Sequence, residues 1–238
     1  GTFPVASQGA HAKRSTLSFT DALVTVELHD STGNRIQGLP GILVGDEYAL
    51  ILPIAALIQA QSATFIDHRG KQIALEEIIS THFPSGLVAF KSGLKKGPSF
   101  GLAADNEALY LGREFIALTN DGQSSGWVDS AAIERPDGSS VYLARLQKSM
   151  AWSNGVMLDP DTNRMMSIAL QADTDKKNQA ADRYEVIDTH AIADLLASIP
   201  TTTAVSLAAF VEDYLSQTPQ GKVAQIKMLT KNGQWHEV

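Results

Sequence analysis

Over most of its length the chain is punctuated too often to build long helices. From Asp21 onward, short apolar runs alternate with clusters of Gly, Asn, Asp and Pro, the rhythm of hairpins rather than of long helices. ALVTVEL (Ala22–Leu28) is followed by a turn at Ser31-Thr-Gly-Asn34. GILVG (Gly41–Gly45) and YALILPI (Tyr48–Ile54) flank an Asp46-Glu47 corner. AALIQAQ (Ala55–Gln61) suits one or two helical turns. ATFID (Ala63–Asp67) and KQIALEEIIS (Lys71–Ser80) meet at His68-Arg-Gly70, and GLVAFKS (Gly86–Ser92) closes the first half.

After a plausible connector at Lys95-Lys-Gly-Pro98 the same style returns. REFIALTN (Arg113–Asn120), SGWVDSAAIE (Ser125–Glu134) and VYLARLQ (Val141–Gln147) lead to VMLDPDTNRMMSIALQA (Val156–Ala172). In that last stretch Asp159-Pro-Asp-Thr-Asn163 is a strong hairpin signal. Only THAIADLLASI (Thr189–Ile199), capped by Thr189 or Asp188 and stopped by Pro200, has a clear helical period with start and stop signals. Many short strands, two similar halves and one late helix predict an all-β chain of paired antiparallel barrels. A single β sandwich is the alternative on pattern alone. The expected division is a tether over 1–16, a double barrel over 17–200 and an accessory segment over 201–238. The lobes fall at about 17–94 and 99–188, with the helix at 189–199.

Composition narrows the function. The 238 residues, 44% hydrophobic and 19% charged, suffice to bury a core without covalent staples. Net charge is −7 and the 19 basic residues are scattered along the sequence, which argues against nucleic acid as the partner. No cysteine is present, so there is no thiol nucleophile, disulfide or zinc-thiolate site. No apolar run approaches the roughly 20 residues a membrane helix needs. The polar, turn-rich segment from Thr2 to Ser15 is expected to be a tether, or a mature N-terminus behind a removed signal or anchor.

Five pieces taken in order resemble the trypsin-like peptidases of the bacterial HtrA type. In that family a Gly-x-Gly-aromatic strand leads to a corner, then to a strand ending in Thr-x-x-His and a short helix. Leu39-Pro-Gly-Ile-Leu-Val44, Asp46-Glu47 and Tyr48-Ala-Leu-Ile-Leu-Pro-Ile-Ala-Ala-Leu57 follow that layout. Gly41 matches the second glycine, and Leu39 replaces the first. The Asp-Leu-Ala-Leu-Leu-Lys strand looks like Gly86-Leu-Val-Ala-Phe-Lys91. The Gly-Asn-Ser-Gly-Gly-Pro-Leu-Leu-Asp loop looks like Ala151-Trp-Ser-Asn-Gly-Val-Met-Leu-Asp159, with Arg164-Met-Met-Ser-Ile168 after it. The likeness runs from about Leu17 to Pro200.

This resemblance implies two antiparallel six-stranded β-barrels, a serine nucleophile, an imidazole that takes its proton and a carboxylate that orients the imidazole. Ser153 stands at the nucleophile position. Ile54 stands at the histidine position and Gly86 at the aspartate position, or Ser85 if the register slips by one. In the loop that would form the oxyanion hole, Ala151 and Asn154 replace two glycines and Gly155 remains. Because losing a triad member removes several orders of magnitude in rate, the resemblance implies no enzyme activity. It points to a protease homologue serving as a peptide- or protein-binding or regulatory module of the bacterial envelope. Met150, Trp152, Asn154 and Gly155 are the candidate binding residues. Two alternatives stay open: an active serine endopeptidase that pairs Ser153 with a non-standard base, and a structural scaffold.

Other chemistry is thin. His82 lies four residues before Gly86 and could act as a base or ligand, although a solvated loop histidine is the simpler reading. His29 and His68 fall in turns, and His190 in the first turn of the late helix. Asp159, Asp161 and Asn163 alternate as in a calcium loop but lack its glycine and distal glutamate, so a hairpin turn is expected. Met150, Trp152, Met157, Met165 and Met166 are core by default, or a groove for a peptide if exposed. No cofactor or metal is expected. In the tail, Val205–Gln217 carries a helical stripe, and Lys222–Leu229, Lys231-Asn-Gly233 and Gln234-Trp-His236 suggest a short strand pair. The expected partners are a peptide or protein, with a homo-oligomer possible, in a periplasmic or other extracytoplasmic setting.

Overall fold

A computed structural model describes residues 20–104, 109–173 and 181–231; the expected tether and Gln234-Trp-His236 lie outside them. The first lobe contains β1 (Leu23–His29), β2 (Arg35–Val44), β3 (Ala49–Pro53), helix α1 (Ile54–Leu57), β4 (Ser62–Ile66), β5 (Gln72–Leu75), β6 (Glu77–His82) and β7 (Leu87–Lys91). The second contains β8 (Glu114–Thr119), β9 (Gly122–Val128), β10 (Ile133–Glu134), β11 (Ser140–Met150), β12 (Val156–Leu158), β13 (Met165–Ala172) and β14 (Ala181–Ile187). Turn chemistry sets the hairpins. Asp30 Oδ1 accepts the N–H groups of Thr32 (2.9 Å) and Asn34 (3.0 Å), and Gly33 takes φ 85°, closing β1 onto β2. Gly41 is required for a different reason: a Cβ there would lie 2.7 Å from the Val26 side chain and 3.0 Å from that of Leu50.

The two lobes close differently. In the second, β8–β9–β11–β14–β13–β12 returns to β8, so six antiparallel strands form a complete barrel, with β10 added outside on β11. In the first, the order is β6–β7–β3–β2–β1–β4–β5, a sheet that curls without pairing its ends. The arrangement of two antiparallel β lobes followed by a helix is as expected. The departure is that the first lobe is a half-barrel: β5 and β6, separated only by Glu76, lie at opposite ends of the lobe's strand order.

The tail covers part of that opening. After helix α2 (Thr189–Ala197), the two-residue β15 (Val205–Ser206) pairs with β6 through Val205 opposite Ile78. Helix α3 (Leu207–Gln217) then sinks Leu207, Phe210 and Val211 into the first-lobe core. Ser206 caps α3 by accepting the Ala209 N–H at 3.2 Å, and Phe83 stacks on Phe210 and Tyr214 at 6.5 and 6.1 Å. The expected strand at Lys222–Leu229 is instead part of helix α4 (Pro219–Lys231). Thr218 caps it, accepting the Gly221 N–H at 2.8 Å, and Pro219 stands at the first helical position, where its missing donor costs nothing.

The lobes are joined by an apolar interface and by the connector. Ile42, Ile51 and Leu87 of the first lobe share a buried cluster with Leu118, Val156 and Ile168 of the second. Phe100 exchanges hydrogen bonds with Leu43 and Gly45, and Ala103 and Gly101 do so with Met165. The connector is thus bonded to both lobes. Helix α2, capped by Asp188 through the His190 N–H at 3.1 Å, seats Ile192 and Leu195 in the same cluster. The Ser80 hydroxyl donates to the Leu195 carbonyl at 2.6 Å.

Candidate active site

Residues 151–155 form the turn between β11 and β12. Ser153 is exposed at its head, and Asn154 follows at φ 63°, a left-handed conformation that asparagine tolerates better than most residues. The Asn154 N–H donates to the Ala169 carbonyl at 2.8 Å, and the Ala169 N–H returns to the Gly155 carbonyl at 3.0 Å. The turn is thereby tied to β13. Gly155 admits no side chain: a Cβ would strike the Trp152 ring and sit 2.7 Å from the Leu118 carbonyl oxygen.

Trp152 is fully buried. Its ring lies parallel to Phe115 with centroids 5.4 Å apart and edge-on to Tyr184 at 5.5 Å. Its Nε1–H donates to the Val156 carbonyl at 3.2 Å. Met157, Met165 and Met166 are buried as well. The apolar residues around Ser153 therefore belong to the core, and the expectation that Trp152 lines a peptide groove is corrected. Trp152 shapes the loop from below because the barrel interior offers its ring more apolar contact than the surface does. Met150 is half-buried, and its carbonyl accepts the Tyr184 hydroxyl at 2.6 Å, while the Tyr184 hydroxyl oxygen in turn accepts the Trp152 N–H at 3.0 Å. Tyr184 therefore anchors the loop on both sides of Ala151. It went unnoticed in the sequence because a tyrosine in a strand carries no signal of such a role.

These bonds leave a specific residue. Trp152, Asn154 and Gly155 all use their N–H groups inside the protein. Among the described residues, the N–H groups of Ala151 and Ser153 meet no acceptor, and the Ser153 hydroxyl has no partner. Two free backbone donors beside an exposed hydroxyl can receive an anionic oxygen formed on a carbon attached to that hydroxyl.

The first-lobe positions come close to this loop. Ile54 opens α1 directly after β3, and its N–H donates to the Gly86 carbonyl at 2.8 Å; its side chain is buried in the first-lobe core. Gly86 sits at φ 70° before β7. Pro53, Leu87 and Asn154 face one another across a small cavity of about 10 Å³, whose remaining lining of Pro40, Ile42, Ile51, Leu52 and Ile168 is apolar. The fold thus gathers the neighbourhoods of Ile54, Gly86 and Ser153.

The structure gives His82 other partners. Its Nδ1 lies 2.8 Å from Ser85 Oγ and accepts the Ser85 N–H at 3.3 Å, and Nε2 is 4.0 Å from Asp194 Oδ2. It stabilises the β6–β7 turn and does not bond Ser153. His29 lies 3.8 Å from Glu27. Asp159 Oδ1 accepts the N–H groups of Asp161 (2.7 Å) and Thr162 (3.3 Å), and Oδ2 pairs with Arg113 at 2.7 Å. Burial would raise its carboxyl, but these bonds and the guanidinium outweigh it and hold the pKa below the usual value. It is a hairpin anchor as expected, and no cluster able to hold a metal occurs among the described residues.

No protein-family model matches the chain, and neither does any curated protein sequence. Solved structures do. The active form of the Rv3671c protease from M. tuberculosis superimposes with a TM-score of 0.62 at 14% identity, covering 81% of this chain and 86% of that one. A serine-to-alanine variant of the same protein, described as an inactive form, gives 0.60 at 14% identity, with 80% and 92% covered. The HtrA-type protease AlgW with a tripeptide gives 0.62 at 13% identity, covering 79% of this chain and 62% of AlgW. The expectation of a non-enzyme is corrected by this comparison: Rv3671c and AlgW, which share the fold, are proteases, the first of them solved in its active form. Two lobes, a late helix and an exposed serine on the β11–β12 turn give this chain the trypsin-like fold of the HtrA-type serine proteases.

Proposed function

We propose that the chain is a serine endopeptidase in which Ser153 is the nucleophile and the N–H groups of Ala151 and Ser153 form the oxyanion hole. The observation that carries this reading is the bonding pattern of the turn, in which those two donors alone are left without protein acceptors among the described residues. Ser153 Oγ attacks the acyl carbon of a peptide, and the carbonyl π pair moves onto oxygen, where both N–H groups hold it. Collapse expels the amine, and water then releases the acyl group from the serine. Support for a peptide substrate comes from the shared fold, since AlgW structures hold a tripeptide and a decapeptide.

With Ile54 at the imidazole position, the Ser153 proton passes to solvent hydroxide or water as the C–O bond forms, and solvent water protonates the amine as the C–N bond breaks. A bare oxyanion hole with substrate binding leaves roughly 10³–10⁴-fold of rate over water when the relay is missing, and a slow enzyme of that size is what this site supports. An extracytoplasmic setting belongs to the same proposal and rests on the likeness of fold.

The test is cleavage of unfolded casein, followed by mass spectrometry over hours, for the natural chain and Ser153→Ala. New peptides from the first alone are expected. Equal fragment patterns from both, or none from either, would overturn the reading.

A further inference from the structure

The structure gathers cations that are scattered in the sequence. Arg69 and Lys71, from the turn between β4 and β5, line one groove with Lys95 and Lys96 of the connector. The groove is about 440 Å³ and is completed by Gln72, Ile73 and the segment Ser92–Leu94. All four basic side chains are exposed, and none forms an ion pair among the described residues. This stands out in a chain of net charge −7. The one carboxylate in the lining, Asp67, is turned inward and accepts the N–H groups of Arg69 and Lys71, each at 2.9 Å.

A second feature coincides with the first. β5 is the terminal strand of the open first-lobe sheet: it pairs with β4 through residues 72–75 and has no strand on its other side among the described residues. A free strand edge offers backbone donors and acceptors to any extended segment, and proteins commonly cover or charge such edges. Here Gln72 and Ile73 of that edge line the same groove as the four cations. Strand addition supplies affinity through main-chain bonds, and flanking side chains supply specificity.

We propose that this groove docks an extended acidic peptide segment, added as a strand to β5 with its carboxylates facing Arg69, Lys71, Lys95 and Lys96. An extended chain matches the free edge of β5, two of whose residues line the groove. Opposite charge rejects neutral segments and hastens encounter with acidic ones. The site lies on the first lobe and does not depend on Ser153.

The test is fluorescence anisotropy of the full chain with a labelled twelve-residue peptide alternating Glu and Val. The comparison ligands are its Gln/Val counterpart, the same acidic peptide N-methylated at alternate residues, and a single-stranded oligonucleotide of equal charge. Protein variants are Lys95→Glu/Lys96→Glu, Arg69→Glu, and Lys222→Glu/Lys227→Glu as a remote charge control, each checked for an unchanged circular dichroism spectrum. Binding of the acidic peptide is expected to fall about tenfold in the first variant and severalfold in the second, and to persist in the control. The Gln/Val and N-methylated peptides should bind at least about tenfold more weakly than the acidic one. Equal loss in the remote control would overturn the site. Full binding by the N-methylated peptide would overturn strand addition. An oligonucleotide that binds as tightly as the peptide would show a general polyanion patch and overturn the assigned partner.

Discussion

Replacing Tyr184 with Phe removes one oxygen atom and should loosen the whole serine loop. That oxygen donates to the Met150 carbonyl at 2.6 Å and accepts the Trp152 N–H at 3.0 Å, while the ring below it packs edge-on against Trp152. Phe keeps the packing and deletes both bonds. A buried polar group left without a partner costs about 1–3 kcal/mol. Trp152 is fully buried and Met150 only partly so, so the first group bears the full penalty and the second a fraction of it. The sum is about 2–4 kcal/mol, a large share of the 5–15 kcal/mol typical of a folded protein. With a urea dependence of about 2–3 kcal/mol per molar, the unfolding midpoint should fall by about 1 M. Tryptophan fluorescence in urea measures it, and reactivity of Ser153 should fall in the same variant. A midpoint lowered by less than about 0.2 M would refute the assignment of Tyr184 as the anchor.

Three further outcomes follow from the same contacts. Gly155→Ala drives a methyl into the Trp152 ring and the Leu118 carbonyl and should cost about 1–3 kcal/mol, read as a lowered melting temperature; no change would mean that the turn relaxes freely. Asp159→Asn should remove stability that is present in the natural protein above the ordinary carboxyl value of 3.8 and lost as pH falls through the lowered folded value. Stability curves of the two proteins should therefore diverge above about pH 4 and converge in acid. Because no imidazole contacts Ser153 among the described residues, the rate of acylation should rise steadily with pH. An inflection near the imidazole value of about 6.5, measured by stopped reactions across buffers, would show a histidine in the relay.

Much of the strand plan was legible because each hairpin announces itself locally. Asp30 with Gly33, and Asp159 with Asn163, are turn chemistry that needs no distant partner, and Asp188 capping a helix stopped by Pro200 is equally local. What escaped depends on long-range packing. The alternation in Lys222–Leu229 suits a strand as well as a helix, and the helical start signal of Thr218 and Pro219 decides it. The openness of the first lobe is a property of strands that fail to meet. The site divides in the same way. Ser153 and its glycine could be picked out from the order of motifs, whereas the burial of Trp152 and the grip of Tyr184 arise from β14, over thirty residues away by their spacing in the chain. The four cations beside β5 come from two distant segments that only the fold makes neighbours.

The most direct test of the account is the intact mass of the chain after exposure to a fluorophosphonate, which bonds fastest to a serine activated as a nucleophile. One adduct mapped to Ser153, absent from Ser153→Ala and slowed in Tyr184→Phe, is the predicted result. No adduct after prolonged incubation at alkaline pH, or the same adduct on Ser153→Ala, would contradict it.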